Sequence, residues 1–61
     1  MRYVLKFFYK CGKSPIHAEF MDKNYAEEIF DALKKDEDVK EAVLYRVEEE
    51  LVPIRHFKRK Y

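Results

Sequence analysis

The chain has 61 residues, of which 48% are apolar and 41% are charged. A chain of this length buries only about 60% of its unfolded surface, so its stability margin is small. Five Phe and five Tyr residues exclude disorder over most of the chain. We expect a single small domain over residues 1–61, and a partner subunit would supply the burial that so small a core lacks.

Cysteine content and hydropathy indicate the compartment. Cys11 is the only cysteine, so no disulfide within the chain is possible and a reducing environment is favoured. The longest apolar run, residues 42–45, is far shorter than the ~20 residues of a membrane-spanning helix. Lys6 interrupts the apolar N-terminus, which argues against a secretory signal. We therefore expect a cytoplasmic protein.

Charge is distributed unevenly along the chain although the net charge is only +1. Residues 1–18 and 51–61 each carry four cations and no acid, whereas all twelve acids lie in residues 19–50. This asymmetry is typical of a two-signed surface that steers a charged partner. A charged helix beside two solvated strand ends would give the same pattern, so both interpretations stay open.

Two extended segments near the N-terminus are expected to form a β-hairpin. Residues 3–9 alternate with aromatic and β-branched character, and residues 16–21 alternate in the same way. A four-residue loop between them gives one apolar face and one face with an opposite-charge pair. The expected pairs include Leu5 with Phe20, Phe7 with Ala18, Lys6 with Glu19 and Val4 with Met21.

Helical periodicity is clear in the next segment, and it predicts a helix over about residues 23–36. Acids come early and lysines late, which matches the helix dipole. Asn24 followed by Glu27 reads as a capping box, and Asp22 is a rival cap. An apolar stripe at helical spacing would pack on the sheet, and its members are Ala26, Ile29, Phe30 and Leu33.

The C-terminal part of the chain predicts two further strands. In the third strand, residues 39–47, Val43 and Tyr45 are expected beneath the helix, so that Leu44 takes the opposite face. A fourth strand over residues 51–57 is expected at an edge because it contains Pro53. The final residues, 58–61, are expected to fray as a basic tail.

These segments predict an α+β fold of ββαββ layout. It has a single four-stranded, largely antiparallel sheet in the order 2-1-3-4, with one helix packed on one face. The layout resembles a ferredoxin-like fold shortened by one helix, and the likeness is one of layout alone.

Enzyme chemistry finds little support in the residues. The last three residues of a phosphate-binding loop motif are matched by Gly12, Lys13 and Ser14. The first glycine that the motif requires is absent, because Phe7 occupies its position. The chain has one Ser, one Asn and no Thr, Gln or Trp, which is a poor supply of groups for orienting a substrate. Cys11 and the two histidines lack paired-ligand spacing. We expect no enzyme activity, no cofactor, and no catalytic, cofactor-binding or metal-binding residue.

The sheet face without a helix is the candidate functional surface. A single helix leaves one face of the sheet in water, where polar residues are expected. The predicted registers place several apolar groups there instead, which indicates a contact surface for another protein, most simply a second copy in a homodimer. The candidate residues are Val4, Lys6, Phe8, His17, Met21, Leu44 and Arg46.

Nucleic-acid binding is the alternative function. Sheet aromatics would stack on bases, and the basic C-terminal segment would contact phosphates. The near-neutral chain and its acidic middle oppose this interpretation. The candidate contacts are Arg55, Phe57, Lys58, Arg59 and Lys60.

Overall fold

The predicted ββαββ layout is confirmed by the computed structural model, which describes residues 2–11 and 14–59. All neighbouring strands are antiparallel and their order is β2-β1-β3-β4, as expected. The elements are β1 (Arg2–Tyr9), β2 (Ile16–Phe20), α1 (Lys23–Lys35), β3 (Val39–Val47) and β4 (Leu51–Lys58).

Helix α1 begins at Lys23, and its N-cap is Asp22, the second of the two predicted caps. The side chain of Asp22 accepts a hydrogen bond of 2.9 Å from the backbone N–H of Asn24, and its carbonyl accepts one from Ala26. The helix ends at Lys35, one residue before the predicted end, because the N–H of Asp36 turns back to the carbonyl of Leu33. Within residues 2–11 and 14–59, no helix is both long and apolar enough to cross a membrane.

The predicted apolar stripe of α1 packs on the sheet. Ala26 and Phe30 are 0% and 1% exposed, and Ile29 and Leu33 pack against them at the margin of the core. The small Ala26 side chain lets the helix backbone approach the sheet closely. The buried sheet residues are Tyr3, Leu5, Val39, Ala42 and Leu44.

The hairpin of β1 and β2 forms with a register two residues from the expected one. Leu5 pairs with Ala18, and Lys6 lies opposite His17 instead of Glu19. A shift of two residues keeps every side chain on its predicted face, since side chains alternate with a period of two. The loop is longer than expected because β2 starts at Ile16 while pairing ends at Phe7. Residues 12 and 13 of this loop lie outside the described part of the chain.

Strand β3 presents its other side to the helix, so the prediction for Val43 and Tyr45 was wrong. Leu44 pairs directly with Leu5, and opposite residues of an antiparallel pair share a face. Leu5 lies beneath α1, and Leu44 therefore lies there too, fully buried. A register shift near Phe8 and Tyr9 then brings Val39 into the core together with Ala42.

Strand β4 is a true strand and continues to Lys58, so the predicted fraying of residues 58–61 was wrong for its first two positions. The N–H of Arg59 donates a 2.9 Å hydrogen bond to the carbonyl of Lys40, which extends the pairing with β3. Residues 60 and 61 lie outside the described residues. Between Leu44 and Tyr45 the register shifts by one residue, because Ile54 forms an irregularity beside the edge position of Pro53.

Candidate interaction surface

The helix-free face consists of the alternate strand residues that point away from α1. Its apolar members are Val4, Phe8, Val43, Tyr45, Val47, Leu51 and Pro53. Its titratable and charged members are Arg2, Lys6, His17, Glu19, Glu41, His56 and Lys58. This set is called the helix-free face below.

Apolar side chains occupy the centre of the helix-free face, on the two central strands. Val4 of β1 pairs with Tyr45 of β3, and Lys6 pairs with Val43. Val4, Val43 and Tyr45 are half-buried, although no second layer covers them within the described residues. Cross-strand neighbours supply that partial burial, because side chains on paired strands stand about 5 Å apart. The outer part of each side chain stays available for contact.

Charged groups on the helix-free face pair with one another within the sheet. Arg2 Nη1 lies 3.4 Å from Glu19 Oε1, and His56 Nε2 lies 2.7 Å from Glu41 Oε2. The ammonium group of Lys6 lies 5.6 Å from the centroid of the Phe8 ring, a cation–π distance. The face therefore carries both signs, and its charges surround an apolar centre.

Four of the predicted face residues lie where the sequence placed them. Val4, Lys6 and Phe8 alternate along β1 on the helix-free side, and all three are half-buried. His17 lies opposite Lys6 on β2 and is exposed. Met21 follows the end of β2 in a bend and is 74% exposed, so it borders the sheet instead of lying within a strand.

The placement of Leu44 and Arg46 on the helix-free face was wrong. Both alternate with Val43 and Tyr45 on β3, and the pairing of β3 with β1 turns them toward α1. Leu44 is fully buried in the core. Arg46 pairs with Tyr3 and lines a pocket beside Lys23 and Glu27 of the helix.

Sequence reasoning missed Val43 and Tyr45 as face residues, together with Glu41 and His56. Residues 42–45 are all apolar, so their alternation does not show which side is buried. One signal was present: a helix packs more closely over a small residue, and Ala42 shares its side of the strand with Leu44. Val43 pairs with His56 across β3 and β4, which places His56 on the helix-free face.

The basic C-terminal segment mostly contacts the helix, not solvent. Arg55 donates to Glu27 at 3.0 Å and to Asp31 at 3.3 Å, and its guanidinium lies 5.0 Å from the Phe30 ring centroid. Phe57 packs edge-on against Phe30, with 5.5 Å between ring centroids.

The end of the segment continues this attachment to the helix. Arg59 donates to the carbonyls of Lys34 and Asp36 at the C-terminus of α1. Lys58 is exposed and belongs to the helix-free face, where it pairs with Glu41 across the strands. Lys60 lies outside the described residues. The predicted nucleic-acid contacts are therefore divided between the two sides of the sheet.

Neither metal-ligating geometry nor a known relative marks this surface. No group of three or more His, Cys, Asp or Glu residues is placed to hold a metal ion within residues 2–11 and 14–59. Comparisons of the chain with known protein families, with curated proteins and with solved structures found no match.

Proposed function

We propose that the chain is a non-enzymatic protein-interaction module that forms a homodimer through the helix-free face. The observation that carries this proposal is the half-buried apolar centre formed by Val4, Val43 and Tyr45 on a sheet whose only described covering helix lies on the other side. A second sheet packed on this centre would complete its burial and add stability to a very small core.

The dimensions of the domain suit a face-to-face dimer. The molecule extends over 33 × 20 × 15 Å. The two longer dimensions, 33 and 20 Å, outline a projected rectangle of roughly 660 Å², of the same order as the ~800 Å² of accessible surface that each partner buries in a standard interface. Use of most of the face would therefore be needed for a stable dimer.

The charges of the helix-free face favour a second copy over a strongly charged partner. The face carries three cations, Arg2, Lys6 and Lys58, and two acids, Glu19 and Glu41, so both signs are present in similar amount. A two-signed surface can be complementary to itself across a twofold axis, whereas a surface of one sign would repel its copy. The apolar centre with a charged rim has the arrangement of protein–protein interfaces.

Nucleic-acid binding receives less support from the same contacts. Arg55 and Arg59 are engaged by carboxylates and carbonyls of α1. Phe57 packs edge-on against Phe30, and the guanidinium of Arg59 lies 5.1 Å from its ring centroid, so the ring that base stacking would need is already in contact with other side chains. Phe8 on the helix-free face is the aromatic ring best placed for such a contact, and Lys6 already covers it.

Sedimentation equilibrium of the wild-type protein and matched variants tests the homodimer. We expect a mass of two chains at high micromolar concentration for the wild type. Tyr45→Glu and Phe8→Glu should give a mass of one chain with the helical circular dichroism signal retained, because a buried charge at the centre opposes association. Tyr25→Glu is the matched control, since Tyr25 is 53% exposed on α1, away from the face. This variant should remain a dimer.

Three outcomes would overturn the homodimer proposal. A wild-type mass of one chain at high micromolar concentration would exclude self-association. A Tyr45→Glu variant that stays dimeric would place the contact elsewhere. Binding of a labelled oligonucleotide at low salt that Phe8→Ala abolishes would assign the same face to nucleic acid instead.

We also propose that the protein is located in the cytoplasm, a reducing compartment. Cys11 is exposed and is the only cysteine of the chain, which favours a reducing compartment. Labelling of the protein in intact cells with a thiol reagent that crosses membranes, compared with one that does not, tests this location. Labelling by the impermeant reagent would contradict it.

A further inference from the structure

A small pocket lies on the covered side of the sheet, at the N-terminal end of α1. Its volume is about 110 Å³. All of the elements except β2 contribute to its wall, and the lining residues are Tyr3, Lys23, Glu27, Arg46, Ile54 and Arg55. Three cations and one acid converge there, so the lining carries an excess of positive charge.

Arg55 and Glu27 neutralise each other within this pocket. Their 3.0 Å salt bridge, supported by the contact of Arg55 with Asp31, uses both terminal nitrogens of the guanidinium. Such a fork-like contact fixes the position of Arg55 as part of the wall. Arg46 is in turn paired with Glu48 at 3.2 Å, so the uncompensated positive charge of the lining belongs to Lys23.

Lys23 and Arg46 keep donors that the described protein groups do not satisfy. Lys23 forms no salt bridge within residues 2–11 and 14–59. Arg46 Nε lies 3.2 Å from Glu48 Oε1 but without hydrogen-bond geometry, and this shielded nitrogen has no hydrogen-bond partner. Shielded polar groups are usually hydrogen-bonded, so this guanidinium nitrogen beside the pocket can still donate to an added acceptor.

We propose that this pocket binds a small oxyanion, a carboxylate or a phosphate, between Lys23 and Arg46. An anion of a few heavy atoms fits the volume, and it would accept charge-assisted hydrogen bonds from both side chains. Arg55 holds the carboxylate of Glu27 and so reduces its repulsion of the ligand. The site lies on the side of the sheet opposite the proposed dimer contact and is independent of it.

Titration of the ¹⁵N-labelled full chain with inorganic phosphate, and separately with acetate, tests the site. Chloride keeps the ionic strength constant, because unspecific screening would otherwise shift many amides. We expect saturable shifts that centre on the amides of Lys23, Arg46 and Arg55. Arg46→Met and Lys23→Met should each weaken binding about tenfold, the effect of losing one charge-assisted hydrogen bond. Lys35→Met, a cation of the same helix outside the pocket, should bind like the wild type.

The two anions separate the sources of the ligand chemistry. Tighter binding of phosphate identifies a phosphate site, and tighter binding of acetate identifies a carboxylate site. Shifts that never saturate, or equal affinity of the Lys23→Met and Lys35→Met variants, would overturn the proposal. Lys23 is exposed at the start of the helix, so its variant decides the question even if Arg46→Met fails to fold.

Discussion

The two faces of the sheet are built from the same four strands and are both rich in apolar residues, yet they reach different degrees of burial. Beneath α1, Leu5 and Leu44 are 0% exposed. On the helix-free face their immediate neighbours in sequence, Val4 and Val43, are only half-buried. The difference shows that lateral contacts within a sheet cover side chains partly, and that a second layer is needed to remove them fully from water.

Charged residues also act differently on the two sides. On the covered side, Arg55 reaches across to the acids of the helix and Arg59 reaches to its last carbonyls. On the helix-free face, Arg2 pairs with Glu19 on the neighbouring strand. Arg55 and Arg59 therefore connect the sheet to the helix, whereas Arg2 pairs within the sheet and leaves the helix-free face accessible.

Alanine substitutions at two adjacent positions of β3 give the largest contrast between the faces. We expect Leu44→Ala to lower the free energy of unfolding by about 2–5 kcal/mol, because it leaves a cavity in a fully buried core. Val43→Ala should cost less than about 1 kcal/mol in the isolated chain, since its site is partly exposed already. Urea denaturation followed by circular dichroism measures both values.

The reverse order of these two effects would contradict the orientation of β3. If Val43→Ala cost more than Leu44→Ala at concentrations where the chain is a monomer, then Val43 would be the buried residue. Because a chain of 61 residues has little stability to lose, Leu44→Val is a milder variant that keeps the comparison measurable.

Local patterns in the sequence were sufficient for the elements and their order. The stripe from Ala26 to Leu33 repeats over two helical turns, and period-two alternation identifies residues 3–9 as a strand. Short connections restrict how the strands can be arranged, which gave the order 2-1-3-4. Val4, Lys6, Phe8 and His17 were placed correctly because a register error of two residues preserves the face.

The orientation of β3 depends on a contact that local patterns do not contain. Leu5 and Leu44 are paired across 39 positions of the chain, and their pairing decides which side of β3 lies beneath the helix. The apolar run 42–45 suits either side equally. The attachment of Arg55 and Arg59 to α1 was missed for the same reason, since a basic segment read alone resembles a solvated tail.

A second comparison concerns two arginines that form ion pairs on opposite sides. We expect Arg55→Met to lower the free energy of unfolding by about 1–2 kcal/mol, because it removes two partly shielded ion pairs and a cation–π contact with Phe30. Arg2→Met should change it by less than about 0.5 kcal/mol, since both partners of that pair are more than half exposed. Urea unfolding at low and high salt measures both, and a larger loss for Arg2→Met would contradict the assigned contacts.

The smallest expected difference in stability is between substitutions of Arg59 and Lys58, the last two residues that the structure describes. Arg59→Gln should lower the free energy of unfolding by about 1 kcal/mol, because its guanidinium satisfies two carbonyls at the C-terminus of α1. Lys58→Gln, the matched control on the helix-free face, should change it by only a few tenths of a kcal/mol. Hydrogen exchange adds an independent measure, since the Arg59 amide donates to Lys40 and should be protected. Rapid exchange of that amide, with equal effects of both substitutions, would show that this segment is frayed and that Arg59 does not contact α1.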